Sequence, residues 1–151
     1  MQIKIQIRKF QQHDLSQVAQ LFDAYRQFYE VSSDLTLAEN YIADRIKNNE
    51  STILVAENSA GGLDGFCQLY PTFCSVIAQP IYVLYDLFVA PSARGKGVAK
   101  QLLDASVALA KEHGRARLDL STAKTNQVAQ SVYEANGWIR DNDFYTYNFT
   151  L

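Results

Sequence analysis

At 151 residues, 48% of them hydrophobic, the chain is long enough to bury one sizeable core and short for two. Its 14 basic and 16 acidic residues leave a net charge of −2, which excludes broad electrostatic attraction to nucleic acid or to an anionic membrane. Any bound anion must be gripped locally. No apolar run approaches the roughly 20 residues that span a bilayer. The first ten residues alternate and carry Lys4, Arg8 and Lys9 instead of the apolar stretch of a signal peptide. A cytoplasmic protein is expected, with Cys67 and Cys74 as free thiols and no metal-ligand set.

Ile3, Ile5 and Ile7 alternate with polar residues and predict a first strand. Asp14 is placed to cap a helix whose apolar face runs through Leu15, Val18, Phe22, Tyr25 and Tyr29. Thr36 and Glu39 have the spacing of a capping box before a second helix through Tyr41, Ile42 and Ile46. Residues 51–57 and 63–70 read as a hairpin joined by the glycine-containing turn 58–62. Pro71 predicts a bend, because proline cannot donate to a sheet ladder, and a new strand begins near Ile81.

The run 81–89 is apolar on both faces, as in a central strand, with Asp86 its only charge. Gly97 opens the longest predicted helix, with Val98, Leu102, Ala105 and Leu109 on one face, and Gly114 stops it. Residues 115–121 alternate as a strand, 126–136 read as a short helix ended by Gly137, and a last strand is expected over 144–149. Nothing marks a repeat or a linker. The order predicts an α/β (α+β) domain with a mixed sheet and helices on its faces.

The stretch Asp86-Leu87-Phe88-Val89-Ala90-Pro91-Ser92-Ala93-Arg94-Gly95-Lys96-Gly97-Val98-Ala99-Lys100 takes a buried strand through a glycine turn into a helix. Glycines at 95 and 97 let backbone N–H groups approach a phosphate, and the helix start adds partial positive charge. The competing reading is a plain turn with solvated cations. The spacing fits neither a P-loop nor a dinucleotide fingerprint.

The run Arg94-Gly95-Lys96-Gly97-Val98-Ala99 resembles the Arg/Gln-x-x-Gly-x-Gly/Ala pattern of the GNAT superfamily of N-acetyltransferases. Asn126-Gln-Val-Ala-Gln-Ser-Val-Tyr-Glu-Ala-Asn-Gly-Trp138 resembles that family's second signature. The resemblance implies one domain over 1–151, with a mostly antiparallel sheet of six to seven strands flanked by about four helices. It implies acetyl-CoA as co-substrate, its pyrophosphate on residues 94–100, and its pantetheine arm beside Leu87, Phe88 and Val89. An N–H near Leu87, freed by a bulge, would face the thioester oxygen. Asn126 and Tyr133 would line the other wall, Tyr133 assisting the leaving sulfur.

The reaction implied is direct acetyl transfer to a primary amine of a small molecule or peptide, with no nucleic acid or membrane partner and a homodimer left open. An amine of pKa about 10.4 is neutral on the order of one part in a thousand at pH 7, so its proton must be removed. Some branches of the family hold a carboxylate where this chain has Tyr85. That departure leaves Asp86 open between a base or proton relay and a structural ion-pair or cap residue. It also motivates a second reading, an acyl-CoA sensor without turnover. The family would bring the end of the first helix (Tyr25, Arg26, Phe28, Tyr29, Glu30) and the Pro71 region (Gln68, Tyr70, Phe73) to the acceptor. Each of these aromatics is also explained by core or dimer surface.

Overall fold

A computed structural model describes residues 4–151, so Ile3 of the expected first strand lies outside the described residues. The chain forms two units, divided after Ser121. The first holds β1 (Gln6–Lys9), α1 (Leu15–Phe28), α2 (Leu35–Lys47), β2 (Thr52–Glu57), β3 (Leu63–Cys74), β4 (Gln79–Val89), a 3-10 turn (Pro91–Ala93), α3 (Val98–Glu112) and β5 (Leu118–Asp119). The second holds α4 (Gln127–Ala135).

The strands lie in the order β1-β2-β3-β4-β5, antiparallel except for the parallel pair β4–β5. Four helices and a mixed, mostly antiparallel sheet are therefore present. The strand count is five among the described residues, not six to seven. Residues 144–149, expected as a closing strand, form none. Alternation is a local property, whereas a strand exists only through a ladder partner, and that stretch takes none among the described residues. The alternating segment 115–121 likewise shortens to the two residues of β5.

Period-2 alternation sorts the buried side chains onto two faces. Ile53, Val55, Phe66 and Phe88 pack with Val18, Leu21 and Phe22 of α1 and with Ala38 and Ile42 of α2. The buried Leu54, Cys67 and Leu69 alternate with these, and Cys67 Sγ lies 3.4 Å from Ser106 Oγ of α3. Both cysteines are free. The sheet thus has α1 and α2 on one face and α3 on the other. No helix of the described residues is long and apolar enough to cross a membrane.

Three local expectations change. Pro71 makes no bend: it sits inside β3, paired in register with Tyr82. The ladder to β2 ends at Leu69, so beyond that residue β3 has only β4 beside it and a missing N–H costs no bond. Asp14 does not cap α1; its buried carboxylate accepts from Arg8 Nη1 at 2.7 Å and from the Gln11 N–H at 2.7 Å. The cap of α2 is Asp34, accepting from the Leu37 N–H at 3.0 Å, in place of the Thr36–Glu39 box.

Candidate active site

The site starts from an irregularity in β4. Gln68 pairs with Asp86 and Leu69 with Leu84, so Tyr85 is an extra residue with no partner on β3. Strict alternation would turn Tyr85 and Asp86 to opposite faces. The extra residue cancels that alternation locally, and both side chains line one cavity. The cavity measures about 530 Å³, and its wall is completed by Phe22, Tyr25 and Arg26 of α1, Leu37 and Tyr41 of α2, and Tyr70 of β3.

Asp86 is 3% exposed and is the cavity's only carboxylate. Gln68 Nε2 donates to its Oδ2 at 2.6 Å, and Ser51 Oγ in turn donates to Gln68 Oε1 at 2.7 Å. Burial pushes the Asp86 carboxyl above its usual value, opposed by the hydrogen bond from Gln68 and by the neighbouring Tyr25 phenol. The Tyr25 phenol donates to the Tyr85 carbonyl oxygen at 3.2 Å; burial, and then the charge of Asp86, push its own pKa up. The Tyr41 and Tyr70 hydroxyls share a 2.6 Å hydrogen bond, and burial likewise raises Tyr70. Burial thus keeps the Tyr25 and Tyr70 phenols protonated, leaving Asp86 as the carboxylate of the wall that can take a proton.

Leu87, Phe88 and Val89 carry β4 from the bulge to the glycine turn. Asp86 to Ala90 spans about 13 Å at the usual rise of a strand. Gly95 and Gly97 have φ of +76° and +79°, the left-handed region, and a Cβ built on either meets no atom within 4 Å. Gly97 is the N-cap of α3, and its carbonyl takes the first helical bond, from the Gln101 N–H at 3.1 Å. The N–H groups of residues 95–100 have no acceptor among the described residues. Arg94 is drawn back, with Nε on Val89 O at 3.0 Å and its guanidinium 5.4 Å from the Phe88 ring centroid. Lys96 Nζ donates to Ser92 O at 3.2 Å. Lys100 forms an exposed ion pair with Asp104 at 2.6 Å. Val98 is buried in the core beneath the turn and Ala99 is half-buried.

Of the expected acceptor residues, Tyr25 and Tyr70 line the cavity and Gln68 sits behind it, holding Asp86. Tyr29 does not line it; its ring packs edge-on to Tyr25 at 5.2 Å. Phe28 and Phe73 are exposed, and neither belongs to the wall. Phe22, Leu37 and Tyr41 also line the cavity, although the sequence marks Phe22 and Tyr41 only as helix face. The 22, 25, 26 and 37, 41 spacings place each set on one helical side, which was the available signal.

In the second unit, Asn126 caps α4, its Oδ1 accepting from the Ala129 N–H at 3.1 Å. Tyr133 lies on the same helix face, its ring 6.3 Å from that of Trp138.

A mostly antiparallel mixed sheet between helices, with a bulged strand leading into a glycine turn and a long helix, defines an acetyltransferase-type fold. Residues 18–138 match the Acetyltransferase (GNAT) family, and the chain belongs to it. An uncharacterized N-acetyltransferase of Bacillus subtilis (strain 168), YhfO, is 45% identical over 141 residues, covering 93% of this chain and 94% of that protein. The crystal structure of a probable acetyltransferase superposes with a TM-score of 0.90 at 35% identity, over 97% of each chain. The aminoglycoside N-acetyltransferase AAC(6')-Iy, solved in complex with CoA, shares the fold at a TM-score of 0.83. Its identity is 20%, over 99% of this chain and 97% of its own.

Proposed function

We propose that this protein transfers the acetyl group of acetyl-CoA directly to the amine of a small molecule or peptide, in one domain formed by residues 1–151. The observation that carries the reading is the run of unpartnered N–H groups over residues 95–100, with open space above both glycines. Six consecutive unpartnered donors suit a pyrophosphate, which brings several acceptor oxygens and negative charge. The CoA complex of the fold relative AAC(6')-Iy agrees with that ligand.

In this reading the acyl arm lies along Leu87, Phe88 and Val89, which brings the thioester to the bulge. A backbone N–H beside Tyr85 and Leu87 meets the oxyanion as the amine attacks. The ammonium of the acceptor enters the cavity and loses a proton to Asp86, directly or through water. The neutral nitrogen then bonds to the acetyl carbon, the C–S bond breaks, and coenzyme A leaves as a thiolate; the nitrogen gives up its second proton to become the amide, and the thiolate takes one up. A covalent acyl-cysteine is disfavoured: Cys67 is buried with its thiol pushed up to about 12, and neither cysteine lines the cavity. Asp86 stands in the cavity beside Tyr85, where some family members hold their base. This favours catalysis over an acyl-CoA sensor.

Calorimetry with coenzyme A and with pantetheine tests the cradle. Coenzyme A should bind at least about a hundredfold more tightly, since each charge-assisted hydrogen bond contributes on the order of 1.5–3 kcal/mol. Equal affinities would remove the phosphate role from residues 94–100.

Asn126 and Tyr133 are proposed for the coenzyme through the signature they occupy, Tyr133 as hydrogen-bond donor to the leaving sulfur. Tyr133→Phe should lower kcat by about tenfold to a thousandfold, the scale of general acid catalysis, with acetyl-CoA affinity nearly kept. A stopped assay of thiol release across pH should also show the loss of an alkaline limb. Unchanged kcat would leave the sulfur to solvent.

A further inference from the structure

The cavity at the bulge holds two opposite charges, and acetyl transfer as described uses only Asp86. Arg26 belongs to the same wall, one residue beyond Tyr25 on α1. Its Nη1 is buried and has no hydrogen-bond partner. Among the described residues its guanidinium enters no ion pair and no side-chain hydrogen bond. Asp23 feels that charge, but its carboxylate already accepts from Gln27 Nε2, Ser33 Oγ and the Asp34 N–H. Arg26 as a whole is only half-buried and lines the cavity, and a guanidinium that keeps an unpaired donor is an unmet demand for an anion, whose carboxylate form its planar fork matches.

Within the transferase reading, on which this rests, we propose that the acceptor is an amino acid or a close analogue whose carboxylate meets Arg26 while its ammonium meets Asp86. The rings of Phe22, Tyr41 and Tyr70 then receive an apolar or aromatic side chain. The volume suits one small molecule. A polycationic acceptor fits poorly, because its further ammonium groups would face the unpaired guanidinium. Arg26 also stands in the last turn of α1, where a cation favours the helix by its dipole alone. The experiment must separate that structural part from recognition.

Matched pairs of amines with and without the carboxylate do so: phenylalanine with phenethylamine, leucine with isopentylamine, lysine with cadaverine. The full chain is assayed for thiol release from acetyl-CoA, and binding of each compound in the presence of coenzyme A is measured by calorimetry. The carboxylated member of at least one pair should be preferred by about tenfold or more in kcat/KM and in affinity, as expected of a site that leaves a buried donor unpaired with the other member. Arg26→Gln should raise KM for that member about tenfold, with kcat and the decarboxylated member little changed, and Arg26→Lys should recover part of the loss. Equal use of both members of every pair overturns the proposal. So does an Arg26→Gln variant that loses thermal stability and keeps the preference. No turnover of any compound, with the carboxylate preference intact in calorimetry, would defeat acetyl transfer and leave recognition of the zwitterion standing. Absence of the preference in both measurements defeats the proposal itself.

Discussion

Asp86→Asn should lower kcat by about a hundredfold to ten-thousandfold while acetyl-CoA affinity stays within about twofold, because the change removes the proposed base and leaves the glycine turn alone. The same variant should be at least as stable as the parent at neutral pH. Burial raises the folded-state pKa of Asp86 above its unfolded value. The contribution of this group is therefore fully present below the unfolded pKa and is lost as pH rises through the folded one. Asparagine keeps an oxygen for Gln68 and carries no charge, so its advantage should appear at neutral pH and disappear in acid, where aspartate is neutral in both states. Thermal melts across pH read the stability difference, and pH–rate profiles read the activity. The parent should lose kcat/KM as pH falls through the raised pKa, and the variant should lack that limb. Greater stability with lower activity is what a charge kept in the core for chemistry produces. Full activity with the acidic limb intact would exclude Asp86 and turn attention to solvent or Tyr85.

Gly97→Val should raise the Kd for acetyl-CoA by about a hundredfold or more, equivalent to about 2.7 kcal/mol. Two effects act together. A branched side chain at φ +79° is strained, which costs on the order of 1–3 kcal/mol, and the side chain enters the open space above the turn. Gly114 supplies the control, since it too has a positive φ, +67°, and open space where a Cβ would sit. Gly114→Val should lose comparable stability and keep coenzyme affinity. If both variants lose affinity alike, strain alone explains the effect and the turn has no special role.

The elements that could be read from the chain were those set by local chemistry. The helix opening at Gly97, the apolar faces of α1 and α3, the hairpin turn at 58–62 and the short helix ended at Gly137 all follow from side-chain spacing or glycine conformation. The errors concern long-range pairing. Pro71 predicts a bend because it has no N–H, but whether that matters depends on whether a second strand lies alongside, and β2 ends first. The alternation at 144–149 is equally local and finds no ladder among the described residues.

The candidate site divides along the same line. The glycine turn and the two signatures were determined by the sequence itself, because a phosphate cradle is built from consecutive backbone amides. The identity of Asp86 as the only charge in its strand was also plain, but alternation alone would have turned it away from Tyr85. The tertiary structure decided otherwise: one extra residue opposite Gln68 and Leu69 sends both side chains into one cavity. It also decided that Arg26, 60 positions away from Asp86 in sequence, stands in the wall of that cavity with its Nη1 buried and unpaired. Register and burial are properties of partners brought together by folding, so no single segment of the chain carries them.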